Sequence, residues 1–160
     1  MRSIILGVFL LAAAGLFAQD IPSVNVKSLS GEIVNTNTFA NDGKPMIISL
    51  WATWCKPCVK ELDAYNDYYA DWVDETGVKV FAISTDDSRS SSRVAPYVNA
   101  RGWEIPVYLD ENSDFKRAMN VANVPHTFLL DGKGKVVWQH TSYVEGDEEE
   151  LYEKLLELSK

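Results

Sequence analysis

The chain has two cysteines, three positions apart, and their setting constrains its fold more than any other feature. Cys55 and Cys58 lie in Trp51–Glu61, which reads W-A-T-W-C-K-P-C-V-K-E. Two cysteines so close together cannot supply a disulfide framework. Nor can they supply a zinc site of paired C-x-x-C motifs. The 160 residues must therefore be held by a buried hydrophobic core, which a single domain of this length can build. A hydrophobic fraction of 46% is ample for one.

The cysteine segment joins two kinds of periodicity. Met46–Trp51 (MIISLW) is a short apolar run, as in a strand covered on both faces. From Cys55 to Val73 the residues Val59, Leu62, Tyr65, Tyr69 and Trp72 recur every three or four positions and predict one buried face of a helix. The cysteines thus sit at a strand-to-helix junction, with Pro57 in a first turn that tolerates a missing N–H. Free N–H groups at a helix start favour an anion, so a Cys55 thiolate gains there. Cys58, deeper in the helix, is expected to be less exposed. The roles follow: Cys55 attacks and Cys58 resolves. An inert disulfide closing so small a loop would add little stability.

Elsewhere the pattern alternates strands with helices. Ser23–Leu29 and Glu32–Asn35 read as a short hairpin, and Val78–Ser84 and Ile105–Leu109 as further strands. Arg93–Arg101 and Ser113–Asn120 read as helices, with Ser113 as an N-cap. Thr127–Leu130 and Lys135–His140 flank the turn Asp131-Gly132-Lys133-Gly134 and form a hairpin. A last helix has its apolar face at Leu151, Leu155 and Leu158, with Asp147 and Glu150 as a capping pair. The class is α/β with a mixed sheet, in one domain spanning residues 19–160.

Residues 1–18 read as an address. Arg2 precedes the apolar run Ile4–Phe17, which is shorter than a membrane span needs. This is the layout of a secretory signal, with cleavage expected after Ala18 and Ala14 as the alternative; an uncleaved anchor is the competing reading. The remainder is expected to be periplasmic or otherwise extracytoplasmic, where a cysteine pair can oxidise. The net charge of −8 excludes a basic nucleic-acid-binding face.

W-C-K-P-C, this exported context and the later V-P-H-T-F-L-L-D-G-K-G-K-V-V together resemble the thioredoxin fold, and more narrowly its TlpA/ResA-type thiol–disulfide oxidoreductases. The resemblance runs from about Ile21 to the C-terminus. It implies a mixed central sheet flanked by helices, an N-terminal β-hairpin extension and an inserted helical segment. It places the redox dithiol on Cys55 and Cys58, the preceding tryptophan on Trp54, and the cis loop proline on Pro125, after Val124. ResA-like members carry a glutamate three residues after the second cysteine, which is Glu61 here and becomes the expected proton relay. Thioredoxin's buried aspartate falls on Ser49, a departure. A solvated helix carboxylate is the competing reading of Glu61.

Lys56 lies between the cysteines and could favour the thiolate by its charge. His126, where relatives often have threonine, could tune the dithiol, touch substrate or merely be tolerated. His140 has no assigned role. The resemblance implies no cofactor beyond the redox-active pair. It implies exported disulfide-containing proteins as partners, apocytochromes among them, a membrane or exported electron donor, and a monomer. Three other readings compete. One is a copper chaperone using Cys55, Cys58 and His126. The others are a thiol peroxidase and a fold used only for binding.

Overall fold

The structure, a computed structural model, describes residues 19–160. The expected signal segment and its cleavage sites lie outside the described residues. The order of elements is β1 (Asn25–Ser28), β2 (Ile33–Asn35), β3 (Met46–Trp51), α1 (Lys56–Thr76), β4 (Lys79–Ser84), α2 (Val94–Arg101), β5 (Val107–Leu109), α3 (Asp114–Ala118), β6 (His126–Leu130), β7 (Val136–Thr141) and α4 (Asp147–Leu158).

The seven strands form one mixed sheet in the order β2-β1-β5-β4-β3-β6-β7. β3, β4 and β5 run parallel through the α1 and α2 crossovers. β6 returns antiparallel to β3, and β7 pairs antiparallel with β6. The early hairpin extends the other edge, with β1 antiparallel to β5. This is the expected α/β architecture, with the hairpin extension and the inserted helix α2.

β3 explains why the cysteines sit where they do. All six of its residues are buried, because helices cover both faces of the sheet. Successive side chains point to opposite faces. Ile47 and Trp51 therefore join Leu62, Tyr65, Trp72, Leu129, Leu151 and Leu155 in one cluster, which also contains both cysteines. Ile48 and Leu50 join Phe81, Ile83, Phe115, Phe128 and Leu130 on the opposite face. The strand delivers the chain from the middle of the sheet straight into the start of α1.

Two helix starts differ from the sequence reading. Ser113 precedes α3 but makes no capping bond; its φ is 57°. The cap comes from the buried Asp110, whose carboxylate accepts from the backbone N–H groups of Phe115 and Lys116 at 3.1 and 2.9 Å. Asp110 is five residues before Phe115, outside the spacing by which capping residues are recognised. At α4 the N-cap is Gly146, and Asp147 and Glu150 form no capping pair. Asp147 instead accepts from Val144 N–H at 2.9 Å, and Glu148 accepts from Gly146 N–H at 3.0 Å.

Candidate active site

The backbone leaves β3 at Trp51 and turns at once, with Cys55 N–H donating to Ala52 C=O at 3.0 Å. Cys55 is the N-cap of α1, with extended φ and ψ, and Pro57 stands in the first turn. Its sulfur accepts the backbone N–H of Cys58 at 3.4 Å. Cys55 and Cys58 form a disulfide with Cα atoms 5.3 Å apart. No acidic residue occupies the first turn of α1, so nothing there opposes a thiolate. Cys55 retains 5% of its surface and Cys58 none, which makes Cys55 the sulfur a substrate can reach.

The loop before Cys55 is held from below. The buried carboxylate of Asp86 accepts from Thr53 N–H at 2.8 Å and from the Thr53 hydroxyl at 2.7 Å. Ser84 Oγ donates to the same carboxylate at 2.8 Å. Trp54, the next residue, projects outward and is 67% exposed. Lys56 and Pro57 are exposed beside it. The Val124–Pro125 bond is cis. Val124 packs against the cluster that holds both cysteines.

Glu61 is fully buried. Cys58 and Glu61 are three residues apart on α1 and so share a helix face. Four groups surround the carboxylate. Ser49 Oγ donates to one oxygen at 3.0 Å. The Tyr65 and Thr127 hydroxyls each donate to the other oxygen at 3.1 Å. His140 Nε2 lies 2.7 Å from that same oxygen. Three of these groups crowd one oxygen, while the other accepts only from Ser49 and so keeps an acceptor site free. The sheet builds this cage by register. Ser49 on β3 pairs with Thr127 on β6, and Thr127 pairs with His140 on β7. Their side chains form a polar row across three strands, directly beneath α1. Ser49, where thioredoxin carries its aspartate, thus donates to the buried carboxylate that α1 supplies. Burial, helped by the neighbouring Glu61, holds the Tyr65 phenol well above its ordinary range.

His126 turns the other way. Alternation along β6 sends Thr127 towards Glu61 and His126 to the opposite face. There its ring lies 4.4 Å from that of Phe128, and its Nε2 is 3.0 Å from Gln139 Oε1. Its Nδ1 is buried without a hydrogen-bond partner. Burial lowers the basicity of its ring. The ligand set Cys55, Cys58 and His126 is not assembled: among the described residues no three His, Cys, Asp or Glu side chains come together to hold a metal. The copper-binding reading therefore lacks its site.

Sequence reasoning placed Cys55, Cys58 and Glu61 but passed over Asp86, Tyr65, Thr127 and His140. Tyr65 had a signal, since it stands four residues from Glu61 on one helix. His140 had none until the strand register was known.

The family described as AhpC/TSA matches residues 17–139. The thiol–disulfide oxidoreductase ResA of Bacillus thuringiensis (strain Al Hakam) is 32% identical over 121 residues, covering 76% of this chain and 67% of the relative. The ResA of Geobacillus kaustophilus is 31% identical over 148 residues, covering 85% and 83%. The chain belongs to the AhpC/TSA family, among its ResA-like thiol–disulfide oxidoreductases. A thioredoxin-like protein from Porphyromonas gingivalis has a solved structure similar to this AhpC/TSA-family member, with a TM-score of 0.78 and 51% identity over 87% of this chain and 91% of that one. A thiol:disulfide interchange protein described as DsbE, from Chlorobium tepidum, has the same TM-score at 24% identity over 89% and 97% of the two chains, and shares the fold. The thioredoxin-like resemblance seen in the sequence is borne out.

Proposed function

We propose that this oxidoreductase reduces disulfides of exported proteins on the extracytoplasmic side of the membrane. Its own pair is restored by a membrane-bound or exported dithiol donor, and it works as a monomer. The observation that carries the reading is the asymmetry of the pair: Cys55 caps α1 with its sulfur on the Cys58 N–H, while Cys58 is wholly enclosed.

In the reduced protein the Cys55 thiolate attacks one sulfur of a substrate disulfide. A Cys55–substrate disulfide forms and the first substrate sulfur leaves as a thiolate, which takes a proton. Cys58 then loses its proton to Glu61 and attacks the Cys55 sulfur. The Cys55–Cys58 bond forms, and the second substrate sulfur leaves. Two electrons have passed from the protein to the substrate. Helix-start N–H groups favour the Cys55 thiolate at each stage where it appears. Trp54, Val124 and Pro125 shape the surface on which the substrate chain lies, with Lys56 and Pro57 around them. The acidic net charge disfavours nucleic acid as a partner.

The test is insulin reduction by the wild type and by the single variants Cys55→Ser and Cys58→Ser. Both variants should lose turnover; full activity in either would sink the mechanism. The reduction potential of the pair tests direction. A value well below the glutathione couple supports a reductant, and one well above it reverses the assignment.

A further inference from the structure

The four groups around Glu61 are not alike. Ser49, Tyr65 and Thr127 are fully buried and neutral. His140 keeps 15% of its side chain exposed while its Nε2 touches the buried carboxylate. It is the one partner of Glu61 that both reaches solvent and can take up a proton to become a cation. We propose that His140 is a positioning residue that couples the basicity of Glu61 to external pH, and so gates the attack of Cys58. This rests on the reading of Glu61 as the acceptor of the Cys58 proton.

The physical basis is the charge beside one carboxylate oxygen. With His140 neutral, Nε2–H donates to Glu61 and the carboxylate remains free to accept the Cys58 proton on its other oxygen. That step breaks the Cys58 S–H bond, makes a Glu61 O–H bond and moves no electrons. With His140 protonated, a cation lies 2.7 Å from the carboxylate. In a buried setting such a cation strongly favours the carboxylate over the carboxyl. Glu61 is then a poorer base and Cys58 is slower to attack.

Other groups also face the pair. Tyr65 on α1 faces Glu61, and its phenol is held far above neutrality by burial. Tyr143, just after β7, is also pushed up by burial, and its hydroxyl donates to Glu148 on α4. His126 on β6 is lowered by burial. Thr127 on β6 carries no charge, and the Trp138 ring lies 4.9 Å from that of His140. The reacting cysteines titrate as well, so the test uses ratios of rates, in which their contribution cancels.

Stopped-flow tryptophan fluorescence can follow oxidation of the reduced protein by oxidised glutathione. The phase independent of glutathione concentration reports the attack of Cys58. His140→Lys places a permanent cation beside Glu61; His140→Gln keeps a donor but never charges. The ratio of wild type to His140→Lys should rise from about one near pH 5 to on the order of tenfold near pH 8. The ratio of wild type to His140→Gln should be well below one near pH 5 and approach one near pH 8. In a Glu61→Gln background both ratios should become independent of pH. A constant ratio for either variant over this window overturns the inference, as does pH dependence that survives Glu61→Gln. If Glu61→Gln alone resolves as fast as the wild type, the proton-acceptor reading fails instead. Unfolding curves for each variant establish that the protein measured is folded.

Discussion

Asp86 holds Thr53 at two points, accepting its backbone N–H at 2.8 Å and its hydroxyl at 2.7 Å. Thr53 lies two residues before the attacking sulfur. The carboxylate thus fixes the path by which the chain leaves β3 for α1. It is fully buried, so removing it strands several donors away from water. Asp86→Ala should cost about 2–4 kcal/mol of stability by urea unfolding. Insulin reduction should fall with it, because Trp54 and Cys55 lose their support. Unchanged stability would mean that the loop is held by something else.

Burial lowers the His126 pKa, and its Nδ1 has no acceptor once protonated. The sign follows from linkage. An unfolded histidine titrates near about pH 6.5, so the unfolded chain binds more protons than the folded one below that point. The contribution of His126 is fully present above the unfolded value and is lost as pH falls through the folded value. Relative to His126→Gln, the wild type should therefore lose stability on going from about pH 7.5 to about pH 5. Parallel stability curves for the two proteins would contradict the assignment.

Gly132, in the β6–β7 turn, packs against the turn before β3. A Cβ built on it would lie 1.8 Å from the Gly43 carbonyl oxygen, an overlap with backbone rather than with a side chain that can move aside. Gly132→Ala should cost about 1–3 kcal/mol, as overpacking does. The exposed neighbour Lys133→Ala should change stability by less than about 0.5 kcal/mol. Equal thermal midpoints for the two variants would show that the turns separate freely.

The central parts of the fold were legible because their signals are local. Met46–Trp51 and Val78–Ser84 read as buried strands, and β3 and β4 occupy Met46–Trp51 and Lys79–Ser84. The cysteine helix was legible for the same reason, since its apolar period and its proline lie within a single segment. The remainder depends on pairing across the fold. Asp110 caps α3 over five residues, a reach that favours no motif, while Ser113 has the composition of a cap and a backbone that does not use it. His140 looks like a strand end until β6 and β7 are placed in register, when it falls into line with Thr127 and Ser49. Glu61 was placed near the dithiol by the family resemblance, but its burial follows from the sheet row that faces it.

The division of labour between the two sulfurs is tested most directly by trapping. Each reduced single variant is mixed with insulin, and the products are weighed by mass spectrometry without reductant. Cys58→Ser should accumulate a covalent adduct through Cys55, because nothing remains to resolve it. Cys55→Ser should form none, because Cys58 has no exposed surface. An adduct through Cys58 in Cys55→Ser, or no adduct in Cys58→Ser, would contradict the account.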